Sequence, residues 1–433
     1  PACWRTARLR LRTHSTPRFQ TMRTVKRCLW PLLYLMMAGS HAADGQACIS
    51  PISYLPLDAS VVGRDDNGTA ALGTYERISP DGRFILRSYS GALLGKVSLM
   101  ELPASGNGPV KAYQTPFSNE AFPVQGTWRY LVDVNGEHYR FKDVLARQRN
   151  AKPLFKAGMT GFYAAASELV QGPAEKALAQ PAATGDSEPV RIRSLSWPQS
   201  ADPDRQGVGP LQIETVRVAD DGRQAHVLNS TGAQFICSER VATDGDVYAL
   251  PMISVDGREF SAIPQVPARG RPTMRVYGLA PAGAGDAPSC DLRADLGMSP
   301  GKAVFGFPRD GAPAWLTYSD FGSVYVFDRQ TRQTLRLANA RNHVLASAFP
   351  GITMDGRVIY GATWRDCDDK ATCAERAGYV VVDPYQSADY RRYWAARGQP
   401  APKACITTAE VEHVRDWFAR FQGLQDAPPA GQR

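Results

Sequence analysis

One short element recurs along this chain: an Asp-Gly or Asn-Gly pair followed by a β-rich run. It reads ISPDGRFILRSYSG at 78–91, VADDGRQAHVL at 218–228, ISVDGREFSAI at 253–263, FPRDGAPAWLTYSD at 307–320 and ITMDGRVIYGATW at 352–364. A degenerate copy, VDVNGEHYRF, occupies 132–141. Asp and Asn tolerate the left-handed region and bond to nearby backbone, and Gly reaches positive φ without a Cβ clash. The run that follows alternates or is wholly apolar, as in Phe84-Ile85-Leu86, which suits a strand buried between stacked sheets. Asp81-Gly82, Asp221-Gly222, Asp256-Gly257, Asp310-Gly311 and Asp355-Gly356 are therefore read as structural repeat turns. Gly (38) and Pro (32) are frequent in the 433 residues, which favours many turns over long helices.

Spacing turns the element into an architecture. Asp81, Asn135, Asp221, Asp256, Asp310 and Asp355 lie 54, 86, 35, 54 and 45 residues apart. Four-stranded units of a radial array repeat every ~40–50 residues, and the longest gap holds two. One unit is legible almost whole: short strands at 303–307, 314–318, 323–327 and 333–337, joined by turns at 309–311, 319–322 and 328–332. The expected fold is all-β: a six- or seven-bladed β-propeller of four-stranded antiparallel blades over 43–388. The competing reading is a sandwich, because Asp-Gly turns occur in any all-β chain.

ISPDGRFILRSYSG resembles the repeat of the TolB-like and WD40-like (PD40-type) propellers, which carries S-P-D-G-[RK] before an apolar strand. SVYVFDRQTRQTLRL at 323–337 resembles the outer half of such a blade. Only the first copy is close to the full motif: Asp310 is followed by Gly-Ala, and the copy at 218–228 lacks Ser-Pro. The family's namesake carries an α/β domain ahead of its propeller, and 43–77 is too short for one. What the resemblance implies is thus the repeat fold alone.

Residues 1–42 read as an upstream segment and a secretory signal peptide starting at Met22. Arg23, Lys26 and Arg27 form a positive region, 29–39 an apolar core, and Ser40-His41-Ala42 a small-x-small cleavage site. That core is too short to span a ~30 Å hydrocarbon slab, so no stable membrane anchor is expected after cleavage. The expected location is periplasmic or secreted. Eight of the 50 Lys and Arg lie in 1–42, which hold no acid, so the remainder balances the 42 Asp and Glu. With no basic excess there, nucleic acid is not an expected partner. Six cysteines follow the leader: Cys48, Cys237, Cys290, Cys367, Cys373 and Cys405. An even number fits an oxidising compartment. Cys367 and Cys373 enclose CDDKATC between two strand-like runs and are expected to bridge a hairpin tip, whereas the pairing of the other four stays open. Zinc at this loop would need two more ligands, and no His lies between Trp364 and Cys405.

Two segments depart from the β rhythm. Residues 161–189 are rich in Ala, Pro, Gly and Gln and read as a surface insertion with one short helix at 162–170. A C-terminal extension, 389–433, carries a helix at 408–422 that opens with the capping box Thr407-x-x-Glu410. Val411, Val414, Trp417, Phe418 and Phe421 share one face of it. Docking on the propeller rim is the expected fate of that face. The rival is an anchor helix for a partner, with Val414, Trp417, Phe418 and Phe421 as its candidates.

No constellation assigns a reaction. His138, His226, His343 and His413 are scattered, with no HExxH or HxH. No G-x-S-x-G, P-loop or G-x-G-x-x-G motif is present, so no catalytic residue, cofactor or metal is nominated. Asp65-Asp66, Asp220-Asp221 and Asp368-Asp369 are adjacent pairs whose side chains point apart on a strand. The Arg residues of the turns (Arg83, Arg223, Arg258, Arg357) are expected to cover neighbouring strands with their stems. The expected function is an exported, non-enzymatic scaffold that binds an envelope protein or polymer ligand. The alternative is a periplasmic hydrolase or lyase with its site in the central funnel.

Overall fold

The computed structural model describes residues 47–58, 63–64, 70–71, most of 75–156, the backbone of five strands within 168–237, and most of 248–422. The described strands form six sheets of four or five strands, and a two-stranded ribbon (Gly63–Arg64 with Ala70–Ala71). Sheet 1 is Tyr75–Ile78, Phe84–Ser88, Val97–Glu101 and Lys111–Gln114, each paired antiparallel with the next. Sheet 2 (Ala121–Pro123 to Phe155–Lys156), sheet 3 (Glu168–Gln171 to Ala225–Ser230) and sheet 5 (Val304–Phe305 to Gln333–Arg336) repeat that meander. Sheet 4 runs Tyr248–Ile253, Glu259–Pro264, Arg275–Ala280 and Ser289–Asp295, with Ile236–Cys237 added parallel to its last strand. Sheet 6 is built from both ends of the chain. Val358–Cys367 and Cys373–Val382 form its long hairpin, His343–Ala346 and Gly351–Ile352 flank one side, and Ile52–Pro56 completes the other.

The period of two in the apolar runs decides what each sheet packs against. In sheet 1, Phe84, Leu86 and Leu99 join a core with Tyr130 and Leu131 of sheet 2. Their neighbours Ile85 and Met100 point the other way, into a core with Ile359, Tyr379 and Val381 of sheet 6. Sheet 5 divides likewise: Leu316, Tyr318 and Phe327 meet Met274 and Val276 near sheet 4, while Trp315, Val324 and Val326 meet Val358 and Tyr360 of sheet 6. A run such as Phe84-Ile85-Leu86 is buried throughout because each side chain finds an apolar sheet on its own face. Each such side chain adds ~1.5–3 kcal/mol by leaving water. The sixth sheet thus packs on the first as well as on the fifth.

Residues 47–49 and 405–408 are clasped together beside sheet 6. Cys48 and Cys405 form a disulfide, Ile49 N donates to Ile406 O, and Thr408 N donates to Ala47 O. Three helices are described: α1 (Phe141–Arg147), α2 (Ala388–Ala395) and α3 (Thr408–Gln422). The capping box of α3 forms, with Thr407 N donating to Glu410 Oε2 at 2.9 Å and Glu410 N donating to Thr407 Oγ1 at 3.3 Å. Val411, Val414, Trp417 and Phe418 are buried, the last three in the core shared by sheets 1 and 2. Those three are therefore not available to a partner as an anchor stripe; the side chain of Phe421 lies outside the described residues.

Two expectations are corrected. Residues 168–171, placed in a surface insertion and its short helix, form instead a strand of sheet 3 paired with Val190–Ser196. The pairing supplies the fourth ladder of that sheet, and a long-range partner of this kind outweighs a weak local helix signal. Phe141, read as the last residue of the degenerate β copy at 132–141, instead opens α1. Phe141 and Val144 bury one face of it, and Asp143 and Arg147 suit its two ends.

Candidate ligand-binding groove

The site starts from two of the repeat turns. In the first, Ser79 Oγ donates to Asp81 Oδ1 at 2.5 Å and accepts from Phe84 N at 2.8 Å, and Gly82 N donates to Ser79 O at 2.8 Å. In the second, Thr353 Oγ1 donates to Asp355 Oδ1 at 2.7 Å and accepts from Arg357 N at 3.0 Å, and Gly356 N donates to Thr353 O at 2.9 Å. Ser254 repeats part of the pattern, accepting from Glu259 N at 2.9 Å. The element is thus [S/T]-x-D-G: a hydroxyl four or five residues before the strand, and a carboxylate that orients it. Gly82 and Gly356 sit at φ +68° and +96°, which explains the glycine.

The two turns lock together. Met354 N donates to Pro80 O at 2.8 Å, and Arg357 Nη2 donates to Asp81 O at 2.7 Å. Arg357 also grips Asp355 with two hydrogen bonds of 2.7 Å. Burial pushes the Asp355 carboxyl up, but the charge and hydrogen bonds of Arg357 outweigh it and hold the group below its ordinary value. Asp81 is equally buried, and burial pushes it up to about 6, with the Ser79 hydroxyl, the Arg83 backbone N–H and the charges of Arg415 and Arg357 opposing only in part.

Above the first turn lies a cavity of about 270 Å³ lined by Arg83, Glu101, Leu102, Pro103, Pro109, Lys111 and Arg415. Sheet 1 supplies Glu101 and Lys111 from paired residues of adjacent strands, and the turn supplies Arg83. Arg83 Nε donates to Glu101 Oε1 at 2.6 Å, and the Tyr113 hydroxyl donates to Glu101 Oε2. Burial raises the Glu101 carboxyl, but Tyr113 and Arg83 together hold it below its ordinary value. Lys111 is exposed, with its ammonium 4.5 Å from the ring centroid of Tyr113. Arg415 comes from α3, donating from Nη2 to Pro103 O at 3.3 Å. Burial and the nearby positive charge of Arg357 bring it down to about 10, so it stays a cation at neutral pH.

Of the turn residues singled out in the sequence, Asp81, Gly82, Asp355 and Gly356 meet at this place. Asp221, Gly222, Asp256, Gly257, Asp310 and Gly311 lie outside the described residues, as do Arg223, Arg258 and the paired aspartates Asp65-Asp66, Asp220-Asp221 and Asp368-Asp369. Arg357 is buried against a neighbouring sheet, whereas Arg83 turns outward to the groove with 40% of its side chain exposed. Cys367 and Cys373 are register partners across the long hairpin of sheet 6, and Cys373 is disulfide-bonded. Cys237 and Cys290 are register partners of parallel strands. Glu101, Lys111 and Arg415 escaped the sequence reading. Arg415 had a signal: Val411, Val414, Arg415 and Phe418 stand at i, i+3, i+4 and i+7, which places a cation on the helix face that seeks the core. Among the described residues, no group of three His, Cys, Asp or Glu is arranged to hold a metal ion. No described helix is long and apolar enough to cross a membrane.

No protein-family model matches the chain, and no curated protein matches it. Solved structures to which it is similar include the β-propeller domain of Swd1 from Myceliophteria thermophila, at 10% identity and a TM-score of 0.36, covering 72% of this chain and 97% of that one. An oligogalacturonate lyase from Vibrio parahaemolyticus is similar at 8% identity and a TM-score of 0.32, covering 76% and 96%. Regucalcin from Agrobacterium tumefaciens, a calcium-binding protein, is similar at 13% identity and a TM-score of 0.34, covering 76% and 96%. The sheet order and packing described above, rather than these distant likenesses, carry the reading of the fold.

Proposed function

We propose that this chain is an exported β-propeller scaffold that binds a protein or polymer ligand in the cell envelope. Its six sheets are the blades, and Ile52–Pro56 closes the ring by completing the last one. Support comes from the packing of sheet 6 on both sheet 5 and sheet 1, and from a disulfide that ties Cys48 to Cys405. The observation that carries the binding reading is a division of labour among charges. Asp355 and Arg357 are buried where two sheets interlock, whereas Arg83 and Lys111 face solvent around a groove. A rigid body that holds cations out on a turn, a strand end and a helix is suited to recognition.

The test is to recover the chain from the envelope fraction, sequence its N-terminus, and measure saturable binding of purified envelope proteins and polymers. Generic glycosidase and esterase substrates are screened in parallel. Cleavage before Ala43 and a saturable ligand support the proposal. Clear turnover of a substrate with no stable ligand overturns it in favour of a hydrolase or lyase acting at the central funnel.

A further inference from the structure

Resting on the scaffold reading, we propose that the groove between sheet 1 and helix α3 binds an acidic peptide segment of a protein partner, with a carboxylate seated against Arg415 and Lys111. Among the described residues, Arg415 Nε is buried with no acceptor, and the only hydrogen bond from the guanidinium goes to a backbone carbonyl, that of Pro103. A guanidinium has five N–H donors in a planar fork, and a carboxylate is the partner that matches the fork. Helix α3 holds this cation in place, because Val414 and Phe418 on either side of it are locked in the core. Arg415 is thus preorganised, partly desolvated and, among the described residues, without a carboxylate hydrogen-bonded to it, which is the condition in which a charge-assisted hydrogen bond gains most.

The rest of the lining narrows the class of anion. Arg83, Lys111 and Arg415 oppose the single carboxylate of Glu101, so the groove carries a net positive charge. Glu101 and the Pro103 carbonyl are acceptors as well, and a ligand that covers them must bring donors. A peptide supplies several N–H groups beside its singly charged carboxylates, whereas a phosphate dianion has at most one O–H donor and is repelled more strongly by Glu101. Leu102, Pro103 and Pro109 provide apolar surface for the methylene stem of a glutamate. The volume of about 270 Å³ accommodates one or two side chains, not a folded domain.

The experiment uses the full chain with its disulfides intact and a fluorescent acetyl-Glu-Leu-Glu-Leu-Glu-amide peptide, against the same peptide with Gln for Glu. The acidic peptide is expected to bind at least about tenfold more tightly, and its affinity to fall with salt. Lys111→Glu is expected to weaken it by about tenfold or more while the chain keeps a cooperative melting transition, since Lys111 is exposed and the like charge it sets opposite Glu101 costs little at a surface. Arg415→Gln should abolish binding; if it also lowers the melting temperature, Lys111→Glu decides alone. Equal binding of the two peptides, indifference to Lys111→Glu, or displacement by inorganic phosphate at concentrations below the peptide's own Kd would overturn the assignment. An envelope ligand whose binding ignores Lys111→Glu would sink this site and leave the scaffold standing. Peptide binding without any envelope ligand would do the reverse.

Discussion

The turn at Ser79–Arg83 and the turn at Thr353–Arg357 share a sequence pattern and a hydrogen-bond scheme, yet their charges end in opposite states. Both carboxylates are buried to within 1% of full exclusion. Asp355 has its Arg folded back on it in a bidentate grip, while Asp81 has lost its Arg to Glu101 across the neighbouring strands. The carboxylate of Asp81 keeps Ser79 and the backbone of Arg83, and its Oδ2 has no hydrogen-bond partner among the described residues. A repeat element therefore fixes a backbone turn but not the electrostatics around it. Those follow from what the adjoining sheets and helix place beside each copy.

The largest test of this contrast is Arg357→Met, which leaves Asp355 buried without a cation. It should cost about 3–5 kcal/mol of unfolding free energy, measured by urea titration of the oxidised chain. A second test reads pH. Between the ordinary carboxylate value of 3.8 and about 6, the folded chain holds a proton on Asp81 that the unfolded chain has released. This group's contribution to stability is present below that window and is lost as pH rises through it, by up to about 3 kcal/mol. Asp81→Asn should flatten that slope in unfolding titrations at pH 4 to 7. Asp355, held below its ordinary value, works with the opposite sign: its contribution is present at neutral pH and is lost as pH falls through its folded value.

The glycines sharpen the comparison further. A Cβ on Gly82 would stand 2.6 Å from Thr353 Cγ2 and 2.9 Å from Ile359 Cδ1, whereas one on Gly356 meets nothing closer than 3.4 Å. Gly82→Ala should therefore destabilise by about 2 kcal/mol and Gly356→Ala by about 1, since both carry the positive-φ penalty but only the first adds a clash between sheets. Smallest is Arg83→Gln, which removes a half-exposed ion pair. It should change stability by about 0–1 kcal/mol in the same titration. A large loss there would mean that the outward Arg83 is as structural as Arg357.

Much of the fold was legible because its signals are local. Asp-Gly turns, a hydroxyl just before them, apolar runs of strand length and the Thr407–Glu410 box each act over a handful of residues. The meander of sheet 5 lies within a residue or two of the strands read from the sequence, with Asp328 Oδ1 accepting from Gln330 N and Thr331 N in the predicted loop. The strand at Glu168–Gln171 was hidden because its partner begins at Val190, and of the four residues only Val170 prefers β over helix. Helix α1 was hidden because it follows a strand without a break. The groove was the least legible part. Its lining residues are drawn from 83 to 415, and only Arg415 departs from the pattern of its own element.

By itself, the sequence determined where this chain turns, which runs become strands and which face of its last helix is apolar, because these depend on backbone preferences and on periods of two and 3.6. It did not determine that Ile52–Pro56 pairs with Cys373–Val382, that Cys48 meets Cys405, or that two like turns interlock and leave one Arg free to face a groove. Those contacts join residues hundreds of positions apart. Their energies depend on distance in space and on the loss of water around each charge, which exist only once the sheets have packed.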